Sequence, residues 1–233
     1  MAEHKLKAPG IRYIVGTFLG PFILTALLFY AAGRTNIPRA WLCFVVSLIG
    51  MFGSIIVVAA RNPELVNHRG GWKKKKDTKL WDKVFVKLFG ITAFYIVYGV
   101  IGLDLKHHSP SLGIGFAVLG SALYIVGSII MHWAMLANKH FEVTVRIQKD
   151  RDHKVITVGP YKIVRHPGYV GAILWAVSPP LIVGSAIALV PAAVAAGLLV
   201  VRTTLEDRTL RRELDGYGEY AATVKYKLLP WLW

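Results

Sequence analysis

Between positions 159 and 171 the chain reads Gly159-Pro160-Tyr161-Lys162-Ile163-Val164-Arg165-His166-Pro167-Gly168-Tyr169-Val170-Gly171, a polar, basic and aromatic stretch set between strongly apolar regions. Its residue types can do chemistry: an arginine suits an anionic group, a histidine can take up a proton near neutral pH, and each tyrosine offers a ring face and a hydroxyl. Pro160 and Pro167 bias the residues before them, Gly159 and His166, away from the helical region. The stretch up to Pro167 is therefore expected to be irregular, with glycines that let backbone or ligand approach closely. A second polar block follows, Arg202-Thr203-Thr204-Leu205-Glu206-Asp207, and a third runs from Gly218-Glu219-Tyr220 to Tyr226-Lys227-Leu228-Leu229-Pro230. Taken alone, Arg202 and Glu206 could be a simple helix ion pair four residues apart, worth about 0.2–0.5 kcal/mol when exposed. Arg165 could be a side chain reaching for headgroups, and the tyrosines an aromatic belt.

The elements that must position these residues are membrane elements. The chain has 233 residues, of which 55% are hydrophobic. Its apolar runs of about 20 residues have the length of helix that crosses roughly 30 Å of hydrocarbon. The fold class expected is an all-α polytopic membrane protein with about six membrane segments. Four spans lie near 11–32, 38–60, 84–103 and 112–137. A C-terminal helical hairpin over 169–201 follows, broken near its middle by Ser178-Pro179-Pro180 and Gly184-Ser185. A charged cytoplasmic helix from Arg202 toward Thr223 ends or bends at Asp215-Gly216-Tyr217-Gly218. Two regions are expected: N-terminal transmembrane helices over 1–110, with a basic loop at 61–83, and a catalytic region over 111–233. The basic start of the chain precedes an apolar run too long for a signal-peptide core, so that run is read as a retained first span. Residues 138–158 alternate apolar and polar and read as two short extended segments joined by a turn.

The net charge of +15 would suit nucleic acid, but its distribution excludes that reading. In the six-segment arrangement, 25 of the 28 Lys and Arg residues fall on one side, with only Arg34, Arg39 and Lys106 opposite. The positive-inside rule then places both termini and the long loops in the cytoplasm. The lysine run at 73–76, beside Trp72 and Trp81, reads as a loop lying on anionic lipid headgroups. Asn62-Pro63-Glu64 belongs to the same loop, with a turn near the site as the lesser alternative. His107-His108 read as solvated, and the single Cys43 permits neither a disulfide within the chain nor a zinc motif. Gly113-x-Gly115 and Gly120 lack the spacing and the strand-to-helix turn of a dinucleotide fingerprint. Gly120, Ser121, Gly127 and Ser128 instead suit close helix packing, and His132 suits an interhelical hydrogen bond.

The order and spacing of the polar blocks resemble the GPY…RHPxYxG signature of integral-membrane methyltransferases related to isoprenylcysteine carboxyl methyltransferase. Arg61-Asn62-Pro63-Glu64-Leu65 and Asn138 resemble bacterial members. The resemblance covers roughly the last hundred residues. It implies S-adenosylmethionine as methyl donor, bound at the cytoplasmic face, and a small or lipid-like acceptor (carboxylate, thiol or amine) reached from the bilayer. It further implies that Gly159, Pro160, Tyr161, His166, Pro167 and Tyr169 shape the cofactor pocket, and that Glu206 and Asp207 bind its polar groups or brace the His166 loop. Arg165 and Arg202 would orient an anionic substrate group. The family's second glutamate is here the shorter Asp207. A different enzyme class, the membrane NADPH-dependent reductases of sterol-reductase type, has a comparable C-terminal organisation. The two are separated by which cofactor binds. A transporter is disfavoured because the spans carry almost no ionisable residue at mid-membrane.

Overall fold

The computed structural model describes residues 5–75 and 77–233; the first four residues of the basic start and Lys76 of the lysine run lie outside the described residues. Five helices are long and apolar enough to cross a membrane. They are α1 (Ala8–Ala32), α2 (Pro38–Arg61), the continuous helix Leu80–His107, α6 (Ile114–Ala137) and α8 (Leu189–Glu213). Leu80–His107 comprises α4 (Leu80–Gly90), a π-helical stretch (Ile91–Ile96) and α5 (Val97–His107). The sixth expected segment is a shorter apolar helix, α7 (Pro167–Val183), which falls below the length of the five. The short helices α3 (Pro63–Gly70) and α9 (Tyr217–Thr223) lie outside the spans. Ile49, Val118, Ile129 and Val194 are all more than half exposed. Such an apolar exterior is stable only against hydrocarbon.

Helices α6 and α7 form the tightest pair, and small residues are the reason. A Cβ on Gly120 would sit 2.8 Å from the Cβ of Leu181, and one on Gly127 would sit 2.9 Å from the Cβ of Leu174. From the other side, a Cβ on Gly171 would meet the Gly127 carbonyl at 2.7 Å. Close backbone approach of this kind is what holds helices together where the surrounding lipid is as apolar as the side chains. Trp175 Nε1 donates across the same interface to Ser128 Oγ at 2.9 Å.

The hairpin forms, with its turn later than the prolines suggest. Pro179 and Pro180 lie inside α7, and the helix ends at Gly184, whose φ of 97° is open to glycine and strained for other residues. Arg39 caps this end of α7, donating to the carbonyls of Leu181 at 2.9 Å and Ile182 at 2.7 Å, and also to Leu112 at 2.6 Å. These carbonyls are the orphan acceptors of a helix C-terminus, and a guanidinium satisfies several at once.

Four other expectations are corrected. The charged helix from Arg202 is not separate: α8 runs unbroken from Leu189 to Glu213 as the hairpin's second arm, and only α9 stands apart. Residues 138–158 form no strand among the described residues; they are irregular, with a 3-10 turn at Lys149–Arg151 and a left-handed Asp152. Arg146 inside the segment takes the place of ladder bonds, binding Glu142, Asp150 and Asp77, each at 2.8 Å. Asn62-Pro63-Glu64 opens α3 instead of forming a turn, because Asn62 Oδ1 accepts from the Leu65 amide at 3.0 Å as an N-cap. His132 bonds within its own helix, to the Ser128 carbonyl at 2.6 Å, and only packs against Trp175 across the interface.

Substituting Gly171→Ala is expected to lower the melting temperature in detergent, by overpacking worth about 1–3 kcal/mol. Gly197→Ala on α8, where an added Cβ meets nothing within 4 Å, should not. Thermal unfolding of the two variants in one detergent checks the pair.

Candidate active site

The first polar block folds as the two prolines require. Gly159 adopts φ 60°, and Pro160 sits in the first turn of the 3-10 helix Gly159–Lys162. Tyr161 is buried; its hydroxyl accepts from Asn138 Nδ2 at 3.2 Å, and its carbonyl accepts from the Tyr220 hydroxyl at 2.7 Å. Burial pushes the Tyr161 phenol above its ordinary range. Beyond it the chain extends along the C-terminal segment, with the Arg165 amide bonded to the Tyr226 carbonyl at 2.9 Å and the His166 amide to that of Lys227 at 3.0 Å. Pro167 then starts α7. Gly168 has no room for a side chain, because a Cβ would lie 2.4 Å from the Phe141 ring.

The second block meets the first because both flank the α7–α8 hairpin. Asp207 is the hub. Its carboxylate takes both arms of Arg165, at 2.7 and 3.1 Å, and also accepts from the Tyr217 hydroxyl at 3.0 Å and from Arg211 at 3.1 Å. His166 Nε2 lies 3.3 Å from Asp207 and 3.3 Å from the Tyr217 hydroxyl. Arg165 further donates to the carbonyls of Val224 and Lys225, at 2.7 and 2.8 Å. Burial works against the Arg165 charge, yet its bonds to Asp207 hold its pKa above the ordinary value. Tyr217 is pushed well up by burial first and by the Asp207 charge second.

Arg202 belongs to a separate pair. It donates to Asp82 at 2.7 and 3.2 Å and to the Val143 carbonyl at 2.7 Å, while Asp82, fully buried, also accepts from the Val145 amide at 2.7 Å. The Arg202 guanidinium lies 5.1 Å from the centre of the Tyr169 ring. The Tyr169 hydroxyl in turn donates to Glu206, and the ring stacks on His166. Glu206 therefore differs from its neighbours: among the described residues its side-chain partner is a neutral phenol, not an arginine.

All ten residues singled out in the sequence thus gather at one end of the bundle. Of the two arginines expected to orient an anionic group, Arg165 is engaged by Asp207 and Arg202 by Asp82. The pairing of Arg202 with Glu206 across one helix turn is replaced by Arg202 with Asp82. Asp82 and Tyr217 were missed. Asp82 had one visible signal, as the acid set nearest the start of an apolar span at the end of a basic loop. Tyr217 had none beyond its place beside two turn glycines.

Comparison with known proteins finds a family match over residues 119–212, to the isoprenylcysteine carboxyl methyltransferase family. Similar curated proteins include a probable protein-S-isoprenylcysteine O-methyltransferase of Oryza sativa subsp. indica, 40% identical over 60 residues, which are 25% of this chain and 31% of that protein. Protein-S-isoprenylcysteine O-methyltransferase B of Arabidopsis thaliana is 30% identical over 108 residues, 45% of this chain and 55% of the relative. The Saccharomyces cerevisiae protein-S-isoprenylcysteine O-methyltransferase is 36% identical over 89 residues, 37% of each chain. The matches span about a third to a half of these relatives' length. Over this region the chain is similar to these methyltransferases. The matched residues hold Arg165 through Asp207, whereas Asp82 and Tyr217 lie outside them.

Asp207→Asn is expected to destabilise the fold by about 3–5 kcal/mol, because it leaves Arg165 buried without its counter-charge. Glu206→Gln, which removes no ion pair, should cost no more than about 1 kcal/mol; unfolding in detergent compares them. A pH effect is expected nearby. His153, half-buried beside His140 and accepting from the Gln148 amide, is lowered to about 4, first by burial and then by the His140 charge. The unfolded chain therefore takes up the proton first as pH falls below about 6.5, and stability declines between there and about 4. His153→Gln should flatten that part of the melting-temperature profile.

Proposed function

We propose that the chain is a membrane methyltransferase, moving the methyl group of S-adenosylmethionine to a lipophilic acceptor that reaches the site from the bilayer. The observation that carries this reading is Glu206, a site carboxylate paired with the Tyr169 hydroxyl, inside the region related to methyltransferases. A donor with a sulfonium and an ammonium group needs an anionic or aromatic partner. Glu206 has no arginine on it among the described residues, and the rings of Tyr169 and Tyr161 lie in the same neighbourhood. The residues present therefore fit the donor, which when bound supplies an electrophilic methyl group.

The chain's own residues divide into three roles. Gly159, Pro160 and Pro167 set an irregular backbone. Such backbone is tolerated at membrane depth where protein covers it or it lines a cavity. His166, Asp207, Arg165 and Arg202 position that backbone. Tyr161, Tyr169 and Glu206 remain to face ligand. A carboxylate acceptor is already ionised and requires only alignment and dehydration. A thiol or amine acceptor must lose a proton, and Glu206 is the group placed to receive it, directly or through the Tyr169 hydroxyl. The concentration of Lys and Arg at the site's end of the bundle supports a cytoplasmic site with both termini inside. An open cleft of about 630 Å³ carries Lys74, Lys75 and Lys149 beside the ion-paired Lys79–Glu213 and Arg146–Asp77–Asp150 groups, so the rest of its charged lining is basic and suits anionic headgroups.

Calorimetric titration of the detergent-purified protein with S-adenosylhomocysteine tests the proposal. Saturable one-site binding is expected, weakened at least about tenfold in Glu206→Ala with the protein still folded. Binding of NADPH in place of S-adenosylhomocysteine would overturn it.

A further inference from the structure

A third arginine stands at this end of the bundle, outside the residues matched by the methyltransferase family. Arg69 lies in α3 and is half-buried. Its Nε donates to the Tyr13 hydroxyl at 2.8 Å, and its Nη1 donates to the Phe141 carbonyl at 3.1 Å. Its guanidinium sits 5.2 Å from the centre of the Tyr13 ring and 5.2 Å from that of Phe141. The plane is therefore set by two rings and two hydrogen bonds. A guanidinium has five N–H donors, so three are left over. No ion pair involves Arg69 among the described residues. This sets it apart from Arg165 and Arg202, whose guanidinium groups are both engaged by buried carboxylates.

Its position connects it to the site. Phe141 packs in one apolar cluster with Tyr13 and Tyr169 and in another with Tyr161. The same ring occupies the space over Gly168, at the start of α7. The Arg69 charge also reaches Tyr161, where it opposes the upward pull of burial. A cation that is half-buried, held in plane and short of a counter-ion is the arrangement that takes a carboxylate through a charge-assisted fork.

We propose that Arg69 is the anion-recognising residue of the site and that it takes the carboxylate of a bound ligand. The inference rests on the methyltransferase reading, under which two ligands carry such a group: the amino-acid end of the methyl donor and an acceptor ending in a carboxylate. The test uses two ligand pairs on the wild-type protein, R69Q and R69K. One pair is S-adenosylhomocysteine and its decarboxylated analogue. The other is an S-prenylated cysteine and its carboxamide, titrated with S-adenosylhomocysteine already bound. The expected result is that the wild type prefers the carboxylate by about tenfold or more in one pair, which identifies the ligand, and that R69Q loses this preference. R69K keeps the charge without the planar fork and should lose part of it. Melting temperatures separate this from a purely structural staple, which would lower stability without altering the ratio. If R69Q does not fold, R69K and the wild-type ratios decide. A wild type indifferent to the carboxylate in both pairs, or folded variants with unchanged ratios, would overturn the inference alone. A wild type that binds no S-adenosylhomocysteine would overturn it together with the reading beneath it.

Discussion

The carboxylate of Asp207 holds the functional end of this protein together. Four groups converge on it: the guanidinium of Arg165, the imidazole of His166, the hydroxyl of Tyr217 and the outer guanidinium of Arg211. Charges so deeply buried are tolerated only when paired and fully hydrogen-bonded. Arg165 meets that condition by adding two backbone carbonyls of the C-terminal segment to its bidentate pair. One interaction thereby fixes three pieces of chain that are remote in sequence: the loop before α7, the middle of α8, and residues 224–227.

A second buried pair, Asp82 with Arg202, does the same for the other side. It anchors α4 to α8 and pins residues 143–145 between them. The consequence for chemistry lies in what the two pairs leave over. Arg165 and Arg202 are both engaged by buried carboxylates, and among the described residues Glu206 pairs with a tyrosine and Arg69 takes part in no ion pair.

The apolar part of the fold sets the geometry in which these pairs form. Helix α7 has only 17 residues, so its length is about 25 Å, shorter than a typical span. It is accommodated because glycines let it lie hard against α6 and because Arg39 satisfies its last carbonyls. With both ends of α7 fixed, the Arg165–His166 loop and the first polar turns of α8 return to the same level.

Much of this was legible in the amino-acid sequence. The long apolar helices follow from the length and polarity of the apolar runs, because a hydrocarbon slab imposes one length scale on every span; of the six segments expected, five are long enough to span and α7 is shorter. The irregular loop up to Pro167 follows from proline and glycine stereochemistry, and the small residues on α6 marked the close interface. The polar blocks stood out by residue type, since ionisable groups beside spans seldom lack a reason, while the choice of individual residues within them came from the family resemblance. What tertiary structure alone decided is who pairs with whom. Arg202 lies four residues from Glu206 but bonds to Asp82, 120 positions away in sequence, because burial rewards the best-satisfied ion pair and not the nearest one in the chain. The same competition took Arg165 for Asp207 and left Glu206 and Arg69 outside the ion pairs among the described residues. Sequence separation carries no information about such choices. They depend on which side chains the packed helices bring within hydrogen-bonding distance.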